Sequence, residues 1–237
     1  NGFVSENVDL ILANASSALQ AAASATGDIP VLGTAVTEYG VALNIPDFNG
    51  TVGTNVSGTS DLAPLDQQAA MIPEWCPDAK TVGLLYCSAE ANSQYQVDTV
   101  QAALEALGLT CTQYPFSDTN DMASVTQTAA DNSDVLYVPT DNTIANNTGI
   151  VDNICHGKIP VFAGEEGVCS GCGVATLSIS YYDLGVTTGQ MAVKILTGES
   201  NVAEMPIEYA PQFTKKYNPA ACEALGLTVP EGYEAIA

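Results

Sequence analysis

The chain has few basic residues. Five Lys and Arg stand against 27 Asp and Glu among its 237 residues, which gives a formal net charge of −22. Nucleic-acid binding depends on Lys and Arg side chains that displace the counterions of the phosphate backbone. The composition therefore excludes a nucleic-acid-binding protein, and most of the carboxylates are expected to serve solubility alone.

Long apolar runs and common catalytic motifs are also missing. No stretch approaches the ~18 apolar residues that a membrane-spanning helix needs. The sequence contains no GxSxG, no GxGxxG after a predicted strand and no GxxxxGK[ST]. Its single histidine, His156, has no evident nucleophile as a partner. A hydrolase or a dehydrogenase is therefore not supported, and we expect neither enzymatic activity nor a cofactor.

Metal-binding patterns are sparse, although the chain has seven cysteines. Cys169 and Cys172 form a CxxC, but a zinc site would normally add a second CxxC or a pair of histidines. An odd number of cysteines leaves at least one unpaired within the chain. We expect a structural disulfide or free thiols at this motif and no metal site. A CxxC redox protein stays as an alternative function.

Short apolar runs alternate along the chain with segments that resemble amphipathic helices. Continuous apolar runs of this length indicate parallel strands that are buried on both faces by helices. The predicted fold class is therefore α/β, with a doubly wound arrangement. Seven strands are predicted, at residues 8–13, 29–35, 81–86, 110–116, 134–139, 159–163 and 174–179.

The clearest predicted helix covers residues 92–107, where four apolar side chains repeat at spacings of three and four to form one buried stripe. Gly108 is expected to end this helix, because glycine tolerates a positive φ. The stripe consists of Val97, Val100, Leu104 and Leu107. Further helices are predicted at residues 62–72, before Pro73, and at 182–196.

Residues 38–59 interrupt the pattern with Gly, Asn, Thr and Pro. A long loop between two regular arrays is a natural crossover between lobes. We predict two Rossmann-like lobes with parallel sheets. Residues 1–60 and 179–206 form the first lobe, 61–178 form the second, and 207–237 form a tail that crosses between them.

Polar clusters follow several of the predicted strands. In a doubly wound sheet, ligands bind beyond the carboxyl ends of the strands, where helix N-termini present N–H groups. Helix capping explains any one cluster, but five clusters at the same end of successive strands predict a cleft lined for a polar ligand. The candidate ligand-binding residues are Ser16, Ser17, Thr34, Asp61, Glu90, Asn92, Ser93, Asp141, Asn142, Glu165 and Glu166.

Five segments stand in a distinctive order: Gly58–Asp61, Val82–Tyr86 with Ser88–Ser93, Tyr137–Asn142, Pro160–Gly167 and Tyr181–Gly185. Together they resemble the ABC transporter substrate-binding family, whose characterised members bind tryptophan or related aromatic amino acids. The resemblance spans nearly the whole chain. It implies the periplasmic-binding-protein type I fold, in which two lobes close on a ligand about a hinge.

The resemblance also implies an incomplete first lobe. Family members usually carry a further stretch of about 60 residues, the size of one or two βα units, before the equivalent of Phe3. We therefore expect the first lobe to expose an apolar sheet edge or face, and to form a homodimer or exchange strands through it. Ser16-Ser17 stands where the family often has Thr-Pro, and Cys87 where Asn is common.

The function implied is that of the extracytoplasmic solute-binding component of an ABC importer, a periplasmic protein or cell-surface lipoprotein that delivers its ligand to a membrane permease. The first residues lack a signal peptide, so the precursor signal is expected to lie outside this chain. A bilobal sensor or signalling domain remains an alternative. An aromatic amino acid is the favoured ligand, with branched amino acids, small peptides and other zwitterions left open.

A zwitterion bound in the interlobe cleft needs hydrogen-bond donors at its carboxylate and an anion at its ammonium, because burying either end unpaired costs about 2 to 5 kcal/mol. With so few cationic side chains, hydroxyls and helix N-termini are the expected carboxylate partners. The residues assigned to the carboxylate are Ser16, Ser17 and Thr34. Asp141 or Glu165 is assigned to the ammonium, with Asn92 and Ser93 as neutral partners.

Overall fold

The computed structural model describes residues 2–236, which form two compact units. The first unit comprises Asn1–Leu62 and Ile179–Gln212, and the second comprises Ala63–Ser178 and Phe213–Ala237. The chain therefore passes between the units three times. The segment predicted as a crossing tail is divided after Gln212, and its later part belongs to the second unit.

Strands and helices alternate along most of the chain. The strands are β1 Ile11–Asn14, β2 Val31–Val36, β3 Val56–Ser60, β4 Thr81–Cys87, β5 Thr110–Phe116, β6 Val135–Val138, β7 Val161–Ala163, β8 Ala175–Ser178, β9 Glu208–Tyr209, β10 Thr214–Tyr217 and β11 Glu234–Ala235. The helices are α1 Gly2–Ser5, α2 Ser16–Ala25, α3 Tyr39–Leu43, α4 Leu65–Trp75, α5 Ala91–Ala106, α6 Thr119–Asp131, α7 Asn142–Ala145, α8 Thr148–Cys155, α9 Glu166–Cys172, α10 Tyr181–Leu196 and α11 Pro219–Leu225.

The first unit is built on a parallel sheet with the strand order β1-β2-β3-β9. Helix α2 packs against β1 and β2, and α10 packs against β2 and β3. Side chains from these elements form the core of the unit. They include Leu19, Val31, Val36, Tyr39, Val56 and Ile207.

Two glycines leave room for the Tyr39 side chain beside β2 and β3. A Cβ at Gly33 or at Gly58 would collide with the Tyr39 hydroxyl, and Gly58 holds φ at +147°, a value that only glycine adopts without strain. Tyr39 is thus fully buried and donates its hydroxyl proton to the Thr59 carbonyl at 3.1 Å. Burial raises the pKa of Tyr39, and the nearby Asp61 carboxylate adds to that rise.

The second unit contains a larger sheet with the order β11-β10-β8-β7-β6-β4-β5. Strands β5, β4, β6, β7 and β8 run parallel, as predicted. Strand β10 is antiparallel to β8, which the expectation of purely parallel sheets missed. Because β10 enters directly from the first unit, without a crossover helix of the second, the right-handed crossover rule does not fix its direction.

All seven predicted strands are present, with bounds that move by up to three residues. The prediction that residues 38–59 form a loop was wrong, because α3 and β3 lie there. Strand β3 lacks an apolar run, yet it is fully buried. Its side-chain hydroxyls find partners, since Ser57 donates to the Met205 carbonyl at 3.0 Å and Ser60 to the Thr37 carbonyl at 2.8 Å. Polar strands of this kind escape a search for hydrophobic runs.

The three predicted helices are also present, with two local corrections. Gly108 has φ of +88° and follows α5 as expected, but Leu107 is 53% exposed and does not extend the buried stripe, because the helix ends at Ala106. Helix α4 continues through Pro73 to Trp75. The Trp75 ring is buried and meets Phe162 edge-on at 6.4 Å, and this packing favours the last turn despite the proline.

Candidate functional site

The candidate residues of the second unit lie beyond the carboxyl ends of three neighbouring parallel strands. Glu90, Asn92 and Ser93 follow β4, Asp141 and Asn142 follow β6, and Glu165 and Glu166 follow β7. Strand β6 pairs with both β4 and β7, so the three segments emerge at one edge of the sheet. The fold therefore groups these residues as the strand-end rule predicts.

Asp141 is the most buried of these carboxylates, with 1% of its surface exposed. Its Oδ2 accepts hydrogen bonds from the Cys87 N–H and the Ser93 hydroxyl, both at 2.8 Å, and its Oδ1 accepts from the Ile144 N–H at 2.9 Å. Burial raises the pKa of Asp141, and repulsion from Glu90 raises it further, while the three hydrogen bonds oppose the rise. The side chain links the end of β4 to the start of α7.

Glu90 forms the second half of this network. Its Oε2 accepts from the backbone N–H of Asn142 at 3.0 Å and from the side-chain amide at 2.8 Å. Its Oε1 accepts from the Thr143 N–H at 2.8 Å and from the Thr143 hydroxyl at 2.7 Å. Burial alone would raise the pKa of Glu90, but these four hydrogen bonds outweigh it and the pKa is lowered.

Neutral side chains complete the network. The Asn92 amide donates to the Thr140 carbonyl at 3.1 Å and lies 3.5 Å from Glu90 Oε2. Within residues 2–236, the ion pairs of the structure involve neither Glu90 nor Asp141. This edge of the sheet therefore carries one buried carboxylate, Asp141, and one half-buried carboxylate, Glu90, and neutral donors hold both in place.

The two carboxylates that follow β7, Glu165 and Glu166, have different partners. Glu165 precedes α9 and caps it, accepting from the N–H groups of Gly167, at 2.6 Å, and Val168. Burial raises the pKa of Glu165, against the effect of these backbone hydrogen bonds. Glu166 instead forms an ion pair with Lys216 of β10 at 2.6 Å. In the part of the chain that the structure describes, neither carboxylate is hydrogen-bonded to the network around Asp141, although both share its sheet edge.

In the first unit, Ser16 and Ser17 begin helix α2. The residue before them, Ala15, has φ of 73° and ψ of 162° and has no side chain that can cap the helix. This backbone region is nearly exclusive to glycine, and a residue held there costs about 1 to 3 kcal/mol. Strain of this kind clusters at functional sites, and here it fixes the N-terminus of α2 at the end of β1.

Thr34 belongs to a cluster of three hydroxyls. Thr188 of α10 donates to Thr34 Oγ1 at 3.0 Å, and Thr59 of β3 does so at 3.3 Å. Thr59 and Thr188 also lie 2.8 Å apart, and Thr188 reaches the Leu184 carbonyl at 2.8 Å. Thr34 is the partly exposed member of the cluster, so its hydroxyl is the one that a group outside the cluster can reach. Sequence reasoning missed Thr59 and Thr188, which nothing in a linear motif connects to Thr34.

Asp61 follows β3 and is 5% exposed. Its Oδ2 accepts the hydroxyl proton of Tyr181 at 3.0 Å. Tyr209 of β9 pairs with Ser60, the residue before Asp61, so a second tyrosine stands near this carboxylate. Both rings are exposed in part, and neither was among the candidate residues.

The CxxC motif lies inside the second unit. Cys169 and Cys172 are buried on α9, and within residues 2–236 the cysteines are free thiols. Burial is the main cause that raises the pKa of both thiols, and the Cys172 thiol lies 3.4 Å from the Val168 carbonyl. Redox or nucleophilic chemistry requires a thiolate, which this environment disfavours. Among the described residues, no group of His, Cys, Asp and Glu is arranged to hold a metal ion, and no helix is long and apolar enough to cross a membrane.

Comparison with known proteins decides the family, because the family model for ABC transporter substrate binding proteins matches residues 1–237. The chain belongs to this family. It is 35% identical over 206 residues to a tyrosine-binding protein from Clostridioides difficile strain R20291, a match that covers 86% of this chain and 59% of that protein. The chain thus spans about three fifths of the length of that relative.

Solved structures of the family agree with this assignment. An ABC domain from Streptococcus pneumonia, in complex with L-Trp, superposes with a TM-score of 0.92 at 33% identity, covering 99% of this chain and 81% of that one. A ligand-free, open substrate binding protein with adhesive properties from Clostridium difficile gives 0.74 at 36% identity, covering 99% and 80%. The predicted family and the α/β class are confirmed, and the fold is that of periplasmic-binding-protein type I.

Proposed function

We propose that this member of the family is the extracytoplasmic solute-binding component of an ABC importer, and that it binds an aromatic amino acid without chemical change. Family membership and the relatives described as binding tyrosine and L-Trp support the ligand class. A membrane permease would be its partner, and a lipid-anchored cell-surface form is part of the proposal. The proposal includes a single ligand that contacts residues of both units.

The observation that carries the proposal is the pair of hydrogen-bonded carboxylates at the edge of the second unit, the buried Asp141 and the half-buried Glu90. The carboxylates of Glu90 and Asp141 repel each other, and this repulsion raises the pKa of Asp141. An ammonium group nearby would relieve that repulsion and stabilise both charged forms. We therefore assign the ligand ammonium to the Asp141 network, with Asn92 and Ser93 as neutral partners, and Glu165 stays the alternative anion.

The first unit supports the opposite end of the ligand. The Thr34 hydroxyl is partly exposed, and the N-terminus of α2 offers backbone N–H groups beside the Ser16 and Ser17 hydroxyls. The helix dipole favours a negative group at this position. We assign the ligand carboxylate to these donors, which need no cationic side chain, and we keep Asp61 with its neighbouring tyrosines as a lining of the same site.

A thermal-shift screen of the twenty amino acids tests the proposal. A ligand that binds only the folded protein raises the melting temperature, by an amount that grows with concentration above Kd. We expect the largest rise with tryptophan or tyrosine, and mass spectrometry should recover the ligand unchanged. If no amino acid shifts the melting temperature, the proposed ligand class is wrong.

Two analogues then separate the ends of the ligand. N-acetyl-L-tryptophan lacks the ammonium charge, and L-tryptophanamide lacks the carboxylate. Calorimetry should show a loss of affinity for both, because each analogue leaves one set of polar groups without its partner. Binding of either analogue with the affinity of L-tryptophan would contradict the corresponding assignment.

A further inference from the structure

Helix α10 carries apolar side chains on two of its faces. One row, formed by Leu184, Thr188 and Met191, is buried, and Met191 packs with Leu32 and Met205 of the first unit. An amphipathic surface helix needs only this one row. The second face therefore requires a separate explanation.

The second face is an exposed apolar row, referred to here as the outer row. Its members are Tyr182, Val186, Gly189, Val193 and Leu196, which follow one another at alternating spacings of four and three residues. Tyr182 is 81% exposed and Val193 is 59% exposed. Repeats of this spacing are typical of helices that pack along a second helix. A contiguous exposed apolar surface of this kind marks an interaction site.

The outer row is self-complementary when two copies run antiparallel. Tyr182 of one helix then lies opposite Leu196 of the other, and Val186 lies opposite Val193. Gly189 meets its own equivalent at the centre of the pairing. Within one chain, a Cβ at this position would contact no other atom, so the space above Gly189 is open. Because glycine has no side chain, two backbones can approach closely there. Such a pairing has two-fold symmetry, the commonest arrangement of homodimers.

Charge supports the same orientation. Asp183 is the acidic residue of the first turn of α10, and Lys194 is the basic residue of its last turn. An antiparallel partner brings each Asp183 beside the Lys194 of the other copy, whereas a parallel partner brings like charges together. Glu199, just beyond the helix, lines the same groove as Lys194 and adds a negative charge at its end.

We propose that two copies of this chain associate through antiparallel pairing of α10 along the outer row. The exposed Leu12, on the edge strand β1 of the same unit, extends the apolar surface available to the first unit. The proposal concerns the first unit alone and does not depend on the ligand. Sedimentation equilibrium of the full chain should show a concentration-dependent dimer.

Single substitutions test the location of the interface. Val193→Glu should weaken dimerisation at least tenfold, because it places a charge in the apolar contact. Leu107→Glu, at the residue that directly follows α5 in the second unit, is the control, since Leu107 is 53% exposed and Val193 is 59% exposed. The control should dimerise as the parent does. Equal effects of the two substitutions, or none from Val193→Glu, would overturn the proposal.

A charge exchange tests the orientation. Asp183→Lys and Lys194→Glu should each weaken the dimer, and the double variant should recover it to within a few fold of the parent. Circular dichroism melting shows whether each variant is folded. A double variant that dimerises more weakly than both single variants contradicts antiparallel pairing. A parent that stays monomeric at every concentration and salt level overturns the proposal, and shows that another occupant, or none, covers the outer row.

Discussion

The two units present different chemistry at the carboxyl ends of their strands. In the first unit the candidate groups are mostly hydroxyls and the uncapped start of α2, set by a strained residue, Ala15. In the second unit they are carboxylates whose oxygens already accept several protein hydrogen bonds. The first unit offers hydroxyl and backbone N–H groups as donors, whereas the second unit fixes negatively charged carboxylates by hydrogen bonds.

This contrast suggests how a protein with few cationic residues can bind a zwitterion. The ammonium needs a fixed anion, and a hydrogen-bond network provides one at the cost of holding a buried carboxylate close to a second, half-buried one. The carboxylate needs only neutral donors if they are oriented beforehand, so a hydroxyl cluster and a helix N-terminus are sufficient. The predictions below test each half of the contrast.

The largest effect is expected from Asp141→Asn. The substitution removes the charge assigned to the ligand ammonium, and calorimetry should show affinity weaker by about 1 to 3 kcal/mol, the range for a lost charge-assisted hydrogen bond. The asparagine amide also cannot accept from both Cys87 and Ile144, so a lower melting temperature should accompany the loss.

Asp134→Asn is the matched control for this change. Asp134 also accepts three hydrogen bonds, from the Lys80 N–H and from the N–H and hydroxyl of Thr81, each at 2.9 Å, but it precedes β6 at the opposite edge of the sheet. Stability should fall while ligand affinity stays unchanged. If Asp141→Asn and Glu165→Gln both keep full affinity, the ammonium binds elsewhere.

A smaller loss is expected from Thr34→Val. Valine keeps the shape of threonine but removes the hydroxyl proton that we assign to the ligand carboxylate, and affinity should weaken by about 0.5 to 1.5 kcal/mol. Thr126→Val is the control, because Thr126 is a buried threonine of the second unit whose hydroxyl donates to the Met122 carbonyl. Equal calorimetric affinities of the two variants would remove Thr34 from the site.

Ala15→Gly should stabilise the protein by about 1 kcal/mol, because glycine adopts this backbone conformation without strain and the relief exceeds its entropic cost. Ligand affinity should not rise along with stability, because glycine makes the backbone at the start of α2 more flexible and the N–H groups there are then less well oriented for the ligand. Ala13→Gly, on the preceding strand β1 and in ordinary backbone geometry, should instead destabilise. Chemical denaturation of both variants decides the point, and a loss of stability in Ala15→Gly would show that position 15 is not strained.

Mild acidification should have the smallest effect, and binding should respond before folding does. The pKa of Asp141 is raised, so its contribution to stability is present below the ordinary value and is lost as pH rises through the folded value. The pKa of Glu90 is lowered, so its contribution is present above the ordinary value and is lost only at strongly acidic pH. Titration by calorimetry and melting should show affinity falling first. Simultaneous loss of binding and folding would argue against Asp141 as the ammonium partner.

Sequence patterns predicted the strands with apolar runs and the strand ends that gather polar residues, because both follow from local burial and from the direction of parallel strands. They missed β3, whose two serines are buried and donate to backbone carbonyls far along the chain. They also missed Thr188, which reaches Thr34 only after α10 has packed on the sheet. Side-chain partners that depend on tertiary packing are invisible to spacing rules.

The distribution of cysteine and tryptophan has a practical consequence. Within the described residues, every cysteine and the single tryptophan, Trp75, belong to the second unit, and none belongs to the first. Only Cys76 and Cys111 are partly exposed, and burial raises the pKa of each thiol to about 11. Alkylation kinetics and selectively excited tryptophan fluorescence therefore report the opening of the second unit alone. Compared with circular dichroism, which follows the helices of both units, they provide a built-in measure of whether the two units unfold together or one after the other.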